Sequence, residues 1–181
     1  MEWYRKSKKG CVVGTNKDQM TTLSTDHEKG QPSCKAMGNF PLVYDEYKKN
    51  TYYFQLRIEC DHDCSHHPPM PGSIPQVTQG IKMSIGFARD NLDLNKNSIV
   101  ENKKKEFYVL DLFDGETYCS QAPGVYSKYV PANEKFAEGD VLGAQIDLEK
   151  GFIQFYRNGK SLGVAFSCGG SFRKGKLYPF V

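Results

Sequence analysis

The sequence predicts an all-β fold, a sandwich or a barrel, on three observations. Apolar residues recur with a period of two in segment after segment, the mark of strands with one buried face. Turn signals separate these segments at short spacing. No stretch of ten or more residues keeps a helical period.

The elements follow in chain order. Residues 11–15, 20–24 and 33–36 are short strand candidates. Over 51–59, Tyr52, Phe54, Leu56 and Ile58 fall on one face and Tyr53, Gln55, Arg57 and Glu59 on the other, so the first set is the buried one. Ile81, Met83, Ile85 and Phe87 repeat the alternation, with Lys82, Ser84 and Gly86 between them. Phe113-Asp114-Gly115-Glu116 turns 107–112 into 117–120. Leu142, Ala144, Ile146 and Leu148 form a strand beginning just after Asp140, and Glu149-Lys150-Gly151 connects it tightly to the next. Residues 152–157 then run into Asn158-Gly159, and 160–166 run back. Asn-Gly suits a two-residue type I′ turn because both residues tolerate positive φ. Residues 177–181 are the last strand candidate, and the long loop candidates are 61–80, 91–105 and 121–139. Loops on a rigid sheet scaffold are where binding residues concentrate.

Length and composition fit one such domain. The chain has 181 residues, 39% hydrophobic, 13% aromatic and 25% charged, too rich in Tyr and Phe for a disordered chain. It is long enough to bury a core without a metal or disulfide. A net charge of +3 calls for neither a nucleic-acid nor a membrane partner. The basic runs Arg5-Lys6-Ser7-Lys8-Lys9 and Lys103-Lys104-Lys105 read as solvated charged faces. The first cluster is followed only by Cys11-Val12-Val13-Gly14, short of the apolar run of a secretory signal, and no stretch reaches the length of a membrane span. The expectation is an intracellular protein, cytoplasmic or nuclear, with reduced thiols.

Enzyme motifs are absent. There is no G-x-S-x-G, no G-x-x-x-x-G-K-[ST], no G-x-G-x-x-G and no H-E-x-x-H. The carboxylates Asp111, Asp114, Asp140, Asp147 and Glu149 read as solvated strand and turn acids. One cluster carries metal-ligand chemistry. Cys60, His62, Cys64, His66 and His67 hold two of the six cysteines and three of the four histidines. These are zinc-ligand types. Zinc modules take ligand pairs from separated segments, and no second pair is evident here, so a polar insertion ended by Pro68, Pro69 and Pro71 is the favoured reading and zinc the alternative.

The C-terminal third carries a resemblance. Gly139-Asp140-Val141-Leu142-Gly143 with Ile146-Asp147-Leu148 is similar to the "GDVIG…DL" stretch of SPRY domains. The run from Phe155 through Asn158-Gly159 to Phe166 resembles that family's "F-x-x-NG-x-x-LG-x-AF" hairpin, and Leu177-Tyr178-Pro179 its closing "LYP". Tyr52-Tyr53-Phe54-Gln55-Leu56-Arg57-Ile58 is similar to its "YYFEVxI" strand, and Ile85-Gly86-Phe87-Ala88 to the "xGxA" of the next. Asp114-Gly115-Glu116-Thr117-Tyr118-Cys119-Ser120 resembles the short hairpin of the Ran-binding-protein type. The resemblance runs from about residue 11 to 181 and is densest over 138–181.

It implies a bent antiparallel β-sandwich of the concanavalin-like jelly-roll kind, as a single domain over 1–181 with an insertion at 61–80 foreign to the family pattern. It implies no enzyme and no cofactor. The implied function is binding of a peptide or protein surface by loops at one edge of the sandwich, as the recognition or scaffold part of an assembly such as a ubiquitin ligase. A lectin-like sandwich with a Trp or Tyr platform is the alternative. Loop position and residue type nominate Tyr44, Tyr47, Arg89, Tyr126 and Tyr129 as contacts, with Arg89 to anchor a partner carboxylate or carbonyl. The family pattern also continues past "LYP" into one more strand, whose absence at Val181 would leave a sheet edge open.

Overall fold

The computed structural model describes residues 3–4, 11–15, 21–25, 37–38, 40–58, 83–90, 92, 105–120, 127–131 and 134–181. Its strands are β1 (Trp3–Tyr4), β2 (Cys11–Thr15), β3 (Thr21–Thr25), β4 (Met37–Gly38), β5 (Thr51–Arg57), β6 (Ser84–Arg89), β7 (Phe107–Asp111), β8 (Glu116–Cys119), β9 (Ser127–Lys128), β10 (Val141–Asp147), β11 (Phe152–Arg157), β12 (Lys160–Ser167) and β13 (Leu177–Phe180). A 3-10 helix, Gly169–Arg173, precedes β13. Among the described residues no helix is long and apolar enough to cross a membrane. The strand expected at 33–36 lies outside the described residues, as do the whole 61–80 loop and all of 91–105 but residues 92 and 105.

Two antiparallel sheets make the sandwich. One has seven strands in the order β1-β4-β13-β6-β7-β8-β9, the other four in the order β12-β11-β10-β5, and β2 and β3 pair apart from both. The smaller sheet turns Phe54, Leu142, Ala144, Ile146, Ile153 and Phe155 inward, all buried. Ile85, Phe87, Tyr108, Leu110 and Leu177 meet them from the larger sheet. The predicted alternation over β5 holds, with Phe54 and Ile58 buried and Tyr53, Gln55 and Arg57 exposed.

β6 departs from the one-sided reading. Gly86 and Ala88 are buried as fully as Ile85 and Phe87, because a second cluster of Met37, Ala88, Leu92, Phe107, Val109 and Phe180 packs on the other face of the larger sheet. Strands covered on both faces lose the alternating signature, which is why β7 reads as the continuous run Phe107-Tyr108-Val109-Leu110.

The turns use the expected chemistry. Asn158 and Gly159 sit at φ 52° and 77°, the two positive values of a type I′ turn. Asp147 Oδ1 accepts the Glu149 and Lys150 N–H groups at 3.0 and 2.7 Å to form the β10–β11 turn. Asp140 and Asp147 are therefore not solvated, as the sequence suggested, but buried at 8% and 6% exposure, because each folds its carboxylate back onto a turn. Within the predicted 121–139 loop, residues 127–128 add β9 to the larger sheet. β13 lies inside the larger sheet, pairing with β6 over Leu177–Phe180 and with β4 at Phe180↔Met37.

Candidate functional site

The segment before β5 is locked by one residue. Asn50 is 3% exposed; its Nδ2 donates to the Asp45 and Lys48 carbonyls at 2.8 and 3.1 Å, and its Oδ1 accepts the Asp45 N–H at 2.8 Å. Asp45 Oδ1 accepts the Tyr47 N–H at 2.9 Å, which together with Lys48 holds its carboxyl below the ordinary aspartate value. Upstream, Leu42 exchanges both backbone hydrogen bonds with Leu177, at 2.7 and 3.1 Å, and the Tyr52 hydroxyl donates to the Val43 carbonyl at 2.9 Å.

This bracing leaves apolar side chains in solvent. Phe40 is 62% exposed, Val43 42% and Tyr47 87%. Phe40 also borders an apolar cavity of about 290 Å³, lined with it by Leu42, Tyr52, Tyr53, Phe54, Phe87 and Pro179. A rigid backbone presenting large apolar groups around a concavity is the physical description of a binding surface.

The nominated contacts divide. Tyr44 and Tyr47 share the braced segment; the Arg173 guanidinium stacks 4.9 Å over the Tyr44 ring, and Tyr47 stands at the tip of the turn. Arg89 turns its donors inward. Its Nε and Nη2 meet the Glu106 carboxylate at 3.1 Å each, Nη2 also reaches the Ser171 carbonyl at 3.3 Å, and Nη1 bonds the Lys174 carbonyl. The Tyr108 hydroxyl donates to the same carboxylate at 2.8 Å, and burial first, then Glu106, raises its pKa well above the usual phenol value. Arg89 thus ties β6 to the 3-10 helix. Tyr129 packs edge-on against Phe155 at 5.9 Å; its hydroxyl donates to the Gly163 carbonyl and accepts the Phe155 N–H. Tyr126 and the possible zinc ligands Cys60, His62, Cys64, His66 and His67 lie outside the described residues.

Sequence reading placed a contact surface on the 37–50, 89–105 and 121–136 loops, the first of which holds Phe40, Leu42 and Val43, but it singled out none of these three, nor Tyr53 or Pro179. The signal was present in the apolar run Phe40-Pro41-Leu42-Val43-Tyr44, set directly before the charged stretch 45–49.

The family model described as SPRY domain matches residues 74–181. Ran-binding protein 9 of Xenopus laevis and Ran-binding protein 10 of Danio rerio are each 31% identical over 85 residues, 47% of this chain but only 14% and 13% of theirs. The crystal structure of the SPRY domain of human HERC1 superposes with a TM-score of 0.52 at 15% identity, covering 81% of this chain and 71% of that one. The family model begins at 74, inside the stretch read as an insertion, and leaves out β5, although β5 pairs with β10 along its whole length. With the matched segment supplying both sheets of the sandwich, the chain belongs to the SPRY domain family, whose members are in general non-enzymatic protein-interaction modules.

Proposed function

We propose that the chain binds an extended protein segment by seating one large apolar side chain in the cavity between Phe40–Val43 and β5. Tyr47 and Tyr44 flank the bound segment from the same braced loop, and Tyr126 is proposed as a further contact from the 121–136 loop. Arg89 contributes by holding the scaffold. The observation that carries this reading is the exposed Phe40 on an apolar concavity, with Val43 and Tyr47 exposed in the same braced segment. Monomeric proteins seldom leave such patches bare. Exposed Tyr suits the task, giving a large contact area at low ordering cost. In a larger assembly, such as a ubiquitin ligase, the module would supply substrate recognition.

Selection from a displayed random-peptide library tests this. The expected outcome is enrichment of peptides sharing a Leu, Met, Phe or Trp anchor. Phe40→Ala and Tyr47→Ala each weaken the best peptide by about tenfold or more. Both side chains are largely in solvent, so thermal stability is unchanged. No enrichment, or enrichment indifferent to both substitutions, refutes the reading.

A further inference from the structure

The outward face of the four-stranded sheet carries a second surface, which meets the apolar cavity at Tyr53. Strand registers set two rungs across it: Tyr53↔Gln145↔Gln154↔Val164, and Gln55↔Gly143↔Tyr156↔Ser161. No acid or base stands on either rung; Arg57 and Asp147 lie on the rungs outside them. Asp147 is already committed to its turn through Oδ1.

Side chains on a sheet ordinarily stand upright. Tyr53 does not. A methyl group at Gly143 would come within 2.7 Å of its Cε2 and 2.8 Å of its Cζ, so the ring lies down across the Gly143 backbone. Tyr156 stands against it with ring centroids 5.6 Å apart and planes at 85°. The two rings make a floor and a wall, and the floor is open, with Tyr53 49% exposed.

The polar groups are aligned around this corner. Gln154 Nε2 donates to Gln145 Oε1 at 2.9 Å, and the Tyr156 hydroxyl donates to the same oxygen. The Tyr53 hydroxyl donates to Gln55 Oε1 at 3.1 Å. Gln145 and Gln154 are thereby fixed, while Gln145 Nε2, Gln154 Oε1 and Gln55 Nε2 have no hydrogen-bond partner among the described residues. A ring covering a strand glycine mends a weak point in the sheet, which accounts for Tyr53 and Gly143. It does not account for three uncharged carboxamides ordered beside the open ring face.

We propose that this face binds a neutral carbohydrate. The C–H face of a pyranose matches the flat Tyr53 ring, and Tyr156 bounds it at one side. Sugar hydroxyls both donate and accept, and so does the free set here, with donors on Gln55 and Gln145 and an acceptor on Gln154. A protein partner would favour an apolar centre with a polar rim; here the centre is carboxamide. An anionic ligand would find no cation on the two rungs.

The test is an array of neutral oligosaccharides beside sialylated and sulfated ones, followed by titration of the best ligand into 15N-labelled protein. Retention of a neutral glycan is expected, with shifts confined to the side-chain amides of Gln55, Gln145 and Gln154. Gln154→Ala and Tyr156→Ala weaken binding by roughly tenfold each. Tyr156→Phe keeps the wall and controls for folding, and it retains binding to within a few-fold. Phe40→Ala, at the apolar cavity, leaves glycan binding unchanged, so this inference and the proposed peptide site fail separately. Retention of charged glycans alone, binding indifferent to Gln154→Ala and Tyr156→Ala, or the same amides shifting only with a peptide would each overturn it.

Discussion

Asp140 belongs to one of the stretches that resemble the family pattern, and its surroundings explain the residue type. Its carboxylate meets Arg157 at 2.7 Å, accepts the Ala137 N–H at 2.8 Å and takes the Asn158 side-chain amide at 2.8 Å. Burial opposes ionisation, but these three partners together outweigh it and hold the pKa below the ordinary aspartate value of 3.8. A carboxyl with a folded pKa below its unfolded one adds stability that is fully present above 3.8 and is lost as pH falls through the folded value. Asp111 works the other way: burial raises its pKa, so its protonation on acidification favours the folded state. Asp140→Asn should therefore cost about 2 kcal/mol at neutral pH, and its stability should fall less steeply than the wild type's as pH drops below 3.8. Denaturant midpoints at neutral and acid pH measure both. Equal slopes in the two proteins would refute the assignment. At this scale the sequence showed residue types but not partners. Arg89 and Tyr129 looked available because their acceptors, on the 3-10 helix and β12, are 82 and 34 residues away.

The β11–β12 hairpin shows which features of an element are local. The turn was legible, since Asn-Gly meets the φ requirement by itself, and Val141 N–H bonding to Asn158 Oδ1 at 2.8 Å only reinforces it. The irregularity of β12 was not. Its register against β11 shifts between Ile153 and Gln154 and again between Gln154 and Tyr156. Bulges of this kind twist an outer strand and make it a poor template for pairing with another chain. Tyr129, reaching in from beyond β9, takes up the Gly163 carbonyl and the Phe155 N–H at this place. Tyr129→Phe keeps the ring packing and removes only these bonds. It should cost about 1 kcal/mol and speed hydrogen exchange at the Phe155 amide, with peptide affinity unchanged. Unaltered stability with lost affinity would make Tyr129 a partner contact instead of a strut.

On the scale of the whole molecule, the sandwich depends on a strand from the end of the described chain. β13 sits between β4 and β6, so residues 37–38 and 84–89 are held in one sheet through 177–180. The strand itself was legible as a short candidate at 177–181 that resembles the family's closing segment, but its neighbours were not, because a strand-forming stretch does not record which strand lies beside it. Pro179 would ordinarily argue against an interior place, having no N–H to give. It is tolerated because β13 meets its β4-side neighbours only at Leu177↔Leu42 and Phe180↔Met37, either side of the proline. Leu177 is the pivot. It is fully buried, pairs with Arg89 on one side, and exchanges hydrogen bonds with Leu42 on the other. Leu42 in turn lines the apolar cavity and carries the exposed Phe40 and Val43 beside it. Leu177→Ala should then cost roughly 2–5 kcal/mol as a core truncation. It should also weaken the selected peptide, because the segment that builds the cavity loses its support. Phe40→Ala lowers affinity alone. Denaturant unfolding and peptide titration on both variants separate the two effects: a stable Leu177→Ala protein with full affinity would show that β13 does not organise the site.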